Sequence, residues 1–476
     1  MNIFNFFKKK GINTLDPEFY RKIEKWKSWY VGNVRNFSTY RIYSGQGTYA
    51  KRKRRSLGMA KRVSEDLADL LLNERVKITV SDATTDAFVN EVLTDNNFLV
   101  LGNDFQERKA YTGTVAYIPY LCDAEMAGDG SITGGRIGIN YVCADNIFPV
   151  SWDNGRVKEC VFAFPKVINR KKYVQLQYHH LNKNGMYEIT NTVLENIQGS
   201  QDGKELTPEE WKQLRPFQNL AANLETNSTK PQFVIDRLNI VNNADIDTTN
   251  PMGIAVFANA IDILKELDNV FDSYDNEFTL GKKRIFVAPE MLKTANGSPA
   301  FDPEDSVFYK LPEDYAERES GKSIVEVNME IRAEQHSKAI NDGLNYLSMK
   351  CGFGTERYRF ENGNVRTATE VISANSDMFR TLKKHEIILD DVIKELVWII
   401  IRLGIVTGRS LNLNSEITID FDDSIIEDKT VERQNDRNDV AMGAMPLWEY
   451  RMKWYNEDEK TAKAAVSVQD KEDVIE

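Results

Sequence analysis

The chain has 476 residues, 41% of them hydrophobic and 28% charged, with a formal net charge of −11. That length exceeds one ordinary core and predicts roughly two to four folding units, and the balance of apolar and charged residues excludes a disordered or membrane-embedded chain. The excess of acid argues against a protein whose main task is a tight grip on nucleic acid, because such a grip needs Lys and Arg to neutralise phosphates.

The start, "MNIFNFFKKK", places its lysines after the aromatic residues and has no small-residue cleavage site, the reverse of a secretory signal, so export is not expected. The longest apolar run, "LVWIIIRLG" near Leu396, is shorter than the roughly 18 residues a membrane span needs and is interrupted by Arg402. Cys122, Cys143, Cys160 and Cys351 show no C-x-x-C spacing and are expected to be reduced, in a cytoplasmic setting.

In chain order, the first marked feature is "KRKRRSLGMAKRVSEDLADLLLNERVKITV". It begins with the most basic spot in the sequence, Lys51 to Arg55, and becomes an amphipathic helix through Leu67, Leu70 and Leu71 before a short strand at Val76 to Val80. The basic run reads as a solvated helix start in preference to a patch for nucleic acid or an acidic partner. From about Thr112 to Glu195, short alternating segments separated by turns predict an antiparallel β region, with "NKNG" at Asn182 to Gly185 as a hairpin turn. His179 and His180 point to opposite faces there and cannot chelate one metal together. Residues 200–250 read as a polar connector with a short helix around Pro208 to Leu214.

The strongest periodicity follows. Phe257, Ala260, Leu264, Leu267, Phe271, Tyr274 and Phe278 recur three and four residues apart and predict a helix of about 30 residues, roughly 45 Å long. Asp262, Glu266, Asp268, Asp272, Asp275 and Glu277 make its other faces acidic. Short extended pieces, "RIFVAPE", "SVFYKLP" and "KSIVEVN", then predict a mixed module of about 50 residues that needs neighbours to be stable. A second helix is expected from about Ile331 to Lys350, carrying Ile340, Leu344 and Leu347 on one stripe. The glycine-bearing loop "CGFGTERYRFENGNVRTATE" comes next, and a long helix opens at Thr367 with a capping box to Glu370 and ends near Gly404. A strand, "EITIDF", a helix capped by Asp422 or Asp423, an aromatic helix from Pro446 and a helix start at Asn456 to Glu459 complete the α+β chain.

No chemistry emerges from these parts. "GFGTER" lacks the lysine and serine of a Walker-type phosphate loop and the third glycine of a dinucleotide fingerprint. "SGKS" at Ser320 to Ser323 has Ala316 where the first glycine belongs and reads as a turn. Asp420, Asp422 and Asp423 could hold a divalent metal for phosphoryl chemistry, which makes a metal-dependent nucleic-acid enzyme the alternative reading, but helix capping explains them more simply. No nucleophilic triad, catalytic residue or cofactor site is indicated. A plain nucleic-acid-binding protein is the other alternative, at odds with the acidity.

The order of parts, two long helices bracketing a small module and then a glycine-bearing loop and a capped helix, resembles that of phage portal proteins. "RSLGMAKRVSEDLADLLLNE", "GIAVFANAIDILKELDNVFDSYDNEF", "RTATEVISANSDMFRTLKKHE" and "FDDSIIEDKTVERQNDRNDVAMGAMPLWEYR" are similar to the portal family of siphophages infecting Gram-positive bacteria, a likeness running from about residue 15 to 455.

That resemblance implies a homo-oligomeric ring of about twelve copies at one capsid vertex, assembled in the host cytoplasm, whose channel passes double-stranded DNA. Its implied partners are the terminase large subunit, which carries the motor ATPase, a head-completion adaptor, scaffold and major capsid protein, with no membrane involved. It also implies a mixed wing in 1–250 with the long helix 367–403, stem helices in 251–282 and 331–350, a clip in 283–330, a tunnel loop in 351–366 and a crown in 404–476. In the tunnel loop, Gly352, Gly354 and Gly363 would give freedom of shape, and Arg357, Arg359 and Arg366 would be placed toward DNA. Lys282, Lys283 and Arg284 form either a weak cationic ring in the channel or favourable charge at a helix carboxyl end. The stripe Phe257, Leu264, Leu267, Phe271, Tyr274 and Phe278 is expected to stay partly uncovered in one subunit and to pack between subunits.

Overall fold

The computed structural model describes residues 3–43, 48–73, 75–126, 132–196, 203–245, 247, 249–281, 284–287, 308–310, 324–327, 330–355, 357–360, 368–421, 429–455 and 457–472. The first 112 residues carry the helices α1 (Ile3–Lys10), α2 (Pro17–Val31), α3 (Met59–Leu71), α4 (Ala83–Asp95) and α5 (Phe98–Thr112). Asp16 caps α2 by accepting from the Glu18 amide, with Pro17 at the first helical position, and Asp82 caps α4 through the Thr85 amide. One departure from the sequence reading occurs here. Lys51 to Lys53 lie in a strand, not at a helix start: β1 (Thr39–Tyr43) and β2 (Tyr49–Lys53) form an antiparallel hairpin, and α3 opens only at Met59, after Gly58 in a left-handed conformation. Alternation of exposed and half-buried residues along the basic run is the strand signature that the density of charge hid.

The predicted antiparallel region is present. β8 (Ile147–Asp153), β9 (Arg156–Ile168), β10 (Lys171–Leu181) and β11 (Tyr187–Glu195) follow one another in a meander. Gly185 sits at φ +74° in the expected turn between the last two. The 200–250 stretch is more ordered than a connector. β12 (Lys204–Leu206) and β13 (Asn223–Glu225) extend that sheet beside β11, around α6 (Pro208–Lys212) with its Thr207/Glu210 capping box. β14 (Val234–Arg237) joins β4 (Thr114–Cys122), which pairs on its other side with β7 (Arg136–Cys143). β5 (Glu125–Met126) and β6 (Ile132–Thr133) form a small ribbon between β4 and β7. Strands of three or four residues are too short to show a period in sequence.

The helix predicted from the Phe257 to Phe278 periodicity begins later than its apolar pattern. After a 3₁₀ turn, α7 spans Ile261–Leu280, 20 residues or roughly 30 Å. Met252 to Phe257 are instead held against the end of α5: the Val256 amide donates to Ala110 O at 2.8 Å and the Gly253 amide to Thr114 Oγ1 at 2.8 Å. Gly113 (φ +85°) and Gly253 meet backbone to backbone there, and a Cβ on Gly113 would lie 2.4 Å from the Gly253 carbonyl carbon. These five side chains beside Gly253 are buried as core, so apolar spacing alone misplaced the helix start.

β15 (Arg284–Val287), β16 (Phe308–Lys310) and β17 (Ile324–Val327) form one sheet in the order β16-β15-β17, matching the three extended pieces of the expected module. α8 (Ala333–Lys350) returns alongside α7, and α9 (Ala368–Val406), at 39 residues about 58 Å long, packs its apolar face on α3, α4, β4 and β14. β18 (Ile417–Asp420) pairs with β3 (Lys77–Val80), fastening the chain after α9 to the amino-terminal region. α10 (Lys429–Ala441), α11 (Leu447–Tyr455) and α12 (Glu459–Glu472) end the chain. The capping residues Thr367, Asp422, Asp423 and Asn456, and the "SGKS" turn, lie outside the described residues. A single continuous core joins the amino-terminal helices, the β4 sheet, α7, α8 and α9. Among the described residues no helix is long and apolar enough to cross a membrane.

Candidate functional site

α7 and α8 are antiparallel neighbours, since Leu267 meets Gly343 while Glu277 meets Arg332 at the far end. Leu264, Leu267, Ile340, Leu344 and Leu347 fill the seam between them and are at most 3% exposed. Gly343 permits the close approach, because a Cβ there would stand 2.8 Å from Leu267 Cδ2. Polar contacts close the distal end: Arg332 pairs with Glu277, and His336 Nε2 lies 3.1 Å from Ser273 Oγ. Tyr274 sets its ring edge-on to Phe278 and to Phe360, with centroids 5.1 and 5.8 Å away.

The acidic flank of α7 is already occupied within the subunit. Asp268, Asp272 and Asp275 fall at helical spacing on one face, and the β1–β2 hairpin with the segment after it docks there. Tyr40 OH donates to Asp272 Oδ2 at 2.7 Å, and the Arg55 amide to Asp272 Oδ1 at 2.9 Å. Asp268 Oδ1 accepts from Ser56 Oγ (3.0 Å) and from the Leu57 amide (2.9 Å). Arg52 and Arg55 pair with Asp275 at 3.7 and 3.4 Å. Arg54 donates to Asn269 Oδ1 and stacks over Phe37 and Tyr40. Burial raises the Asp268 pKa from the usual carboxylate value, against the opposing effect of its hydrogen bonds to Leu57 and Ser56. Burial, followed by the Asp272 carboxylate, raises that of the Tyr40 phenol.

After α8 the chain turns on a Schellman motif: the Phe353 amide donates to Ser348 O at 2.9 Å and the Gly352 amide to Met349 O at 3.1 Å, with Gly352 at φ +85°. A Cβ on Gly352 would meet Thr381 Oγ1 of α9 at 2.8 Å, so this glycine serves a tight fit. Phe353 and Tyr358 are buried. Burial, with the Asp66 carboxylate nearby, pushes the Tyr358 phenol far up. Arg357 Nε reaches Asp66 at 3.6 Å, and the Phe360 amide donates to Asn341 Oδ1 at 2.8 Å.

The family model for phage portal proteins of the SPP1 Gp6-like type matches residues 10–473. The chain belongs to that family. Portal proteins are structural components of the virion, placed at a capsid vertex as an oligomeric ring that meets both capsid and DNA; theirs is not an enzyme family. No curated protein matches the chain.

Within this portal chain, the expected site residues part company. Phe257, Leu264 and Leu267 are 0–3% exposed and covered by the subunit itself, which corrects the expectation that they pack between subunits; Phe278, at 47%, is the exposed end of the stripe, with Phe271 and Tyr274 partly buried. Gly352 and Gly354 adopt left-handed φ values of +85° and +74°. Arg357 is tied to Asp66, and Arg359 is exposed beside it. Gly363, Arg366, Lys282 and Lys283 lie outside the described residues, and Arg284 opens β15. Asp420 is exposed at the end of β18, Asp422 and Asp423 lie outside the described residues, and among the described residues no group of three His, Cys, Asp or Glu could hold a metal ion. The hairpin clasp on α7 was missed because its partners are more than 200 residues apart. The acid-free sequence from Arg35 to Ser64, set against so acidic a helix, was the available signal.

Proposed function

We propose that about twelve copies of this chain form the ring at one capsid vertex through which double-stranded DNA is packaged and later ejected, and on which head and tail are joined. The family match over residues 10–473 carries this reading, and the α7/α8 pair bracketing the β15–β17 sheet supports it. In this reading α7 and α8 are the stem, the β15–β17 module the clip, residues 1–250 with α9 the wing, and residues after 404 the crown.

Residues 351–366 are the tunnel loop in this reading; Gly352, Arg357 and Phe360 meet Thr381 of α9, Asp66 of α3 and Asn341 of α8, and Arg359 is exposed. Lys282, Lys283 and Arg284 follow α7 in sequence and would give weak, salt-sensitive contact with a sliding polyanion. With Asp268, Asp272 and Asp275 engaged by the hairpin, phosphate repulsion by the stem falls to carboxylates such as Asp262 and Glu266, both exposed. The terminase large subunit supplies the motor, and the adaptor, scaffold and major capsid protein are the other partners, with assembly in the host cytoplasm.

Deleting residues 361–366 is expected to leave ring formation intact and to abolish DNA-filled heads, measured as nuclease-protected DNA per particle. Normal filling by rings lacking these residues would contradict the loop's role.

A further inference from the structure

Between Arg35 and Ser64 the chain carries nine Lys or Arg residues and no Asp or Glu, although its net charge is −11. The hairpin register pairs Thr39 with Lys53, Arg41 with Lys51 and Tyr43 with Tyr49. Alternation therefore puts Arg41, Tyr43, Tyr49, Lys51 and Lys53 on one face, opposite to Tyr40 and Arg52, which face the α7 carboxylates. All five are exposed, Tyr43 and Tyr49 by 67% and 71%, and the two rings contact each other edge-on at 5.5 Å. Among the described residues, Arg41, Lys51 and Lys53 have no ion-pair partner.

Like charges directly opposite one another destabilise a hairpin, so the Arg41–Lys51 pair is not explained by the fold. The inner face has its carboxylate partners and the outer face has none. Cations two residues apart on a strand stand about 6.6 Å apart, and each strand of duplex DNA presents a phosphate every ~3.4 Å of helix axis. A two-stranded β-ribbon is also narrow enough to enter the major groove.

We propose that the outward face of the β1–β2 hairpin, Arg41, Lys51 and Lys53 flanked by Tyr43 and Tyr49, docks on the phosphate backbone of duplex DNA. The inference rests on the chemistry of this face and is separate from the channel reading of the stem and tunnel loop. The side chains involved make no contribution to the core, so their removal leaves the fold in place.

The test is fluorescence anisotropy of a labelled duplex with the full-length protein across a salt series, comparing wild type with the triple variant Arg41→Ser/Lys51→Ser/Lys53→Ser. Losing three phosphate contacts should reduce the slope of log K against log salt by about 2.7, so that wild type loses roughly 40-fold more affinity than the variant between about 50 and 200 mM salt. An unchanged slope overturns the proposal, as does a wild-type chain that fails to bind. A triple variant that binds DNA normally but loses oligomer mass in light scattering would assign the face to a neighbouring subunit and likewise overturn it. Lys282→Ser/Lys283→Ser is the control for the channel: a slope that falls only in that variant refutes the hairpin and leaves the channel reading standing.

Discussion

Replacing Asp236 with Ala is expected to lower the unfolding free energy of the subunit by about 3–5 kcal/mol. Asp236 on β14 and Lys109 on α5 are 0% and 1% exposed, and Lys109 Nζ donates to both carboxylate oxygens at 2.9 and 3.0 Å. Gln106, one helical turn before Lys109, adds a bond to Asp236 Oδ2 at 2.8 Å and another to Tyr117 OH at 2.9 Å. Burial pulls the Lys109 ammonium down and Asp236 opposes it. Removing the carboxylate strands a buried cation whose ion-pair partner among the described residues is Asp236, and the β14–β4–α5 junction beneath α9 loosens with it. The double variant Lys109→Met/Asp236→Leu should recover most of the loss, because an apolar pair avoids the desolvation cost of both ions. Denaturant titration of wild type, the single variant and the double variant measures all three values. A single variant within about 1 kcal/mol of wild type would remove this account of the junction.

Acidification from pH 6.5 to pH 5 is expected to cost the subunit roughly 3 kcal/mol through two histidines. His179 is fully buried with both ring nitrogens unpartnered, edge-on between Phe162 and Phe233 at 5.5 and 5.2 Å, and its pKa falls to about 3, first through burial and then through His180. His385 on α9 accepts at Nδ1 from the Asn239 amide at 3.1 Å and is also lowered to about 3, by burial and then by Lys109 and Lys384. In the unfolded chain both titrate near 6.5. Between those values the unfolded state binds more protons, so the stability is fully present well above pH 6.5, begins to fall as pH passes through 6.5 and drains away toward pH 3. Each pH unit in that window is worth about 1.4 kcal/mol per histidine. His179→Phe should halve the slope, and an identical pH dependence in wild type and variant would contradict the assignment.

How far the fold was legible follows from the range of the interactions. The α7 seam, α8, the meander and the long α9 helix declared themselves because their periods persist over many residues. The start of α7 did not, because Met252 to Phe257 carry a helical apolar pattern that the Gly113–Gly253 contact and the bonds to Ala110 and Thr114 hold straight. α4 and α5 carry no strong stripe; the buried face of α5 includes Gly102, Gln106 and Lys109, while Leu99 and Val100 are exposed. The candidate site was harder. Basic and acidic segments were each visible, yet read separately they suggested a solvated surface and a repelling wall; only their meeting at Asp268, Asp272 and Asp275 shows that each neutralises part of the other. Gly352 shows the same limit, since sequence cannot distinguish a glycine needed for movement from one needed to admit Thr381.

Negative-stain electron microscopy of the purified full-length chain tests the central claim most directly. The account predicts annular particles with a stain-filled centre, built from about twelve subunits. A uniform field of compact single subunits at the concentrations used for assembly, or closed particles without a central opening, would contradict it.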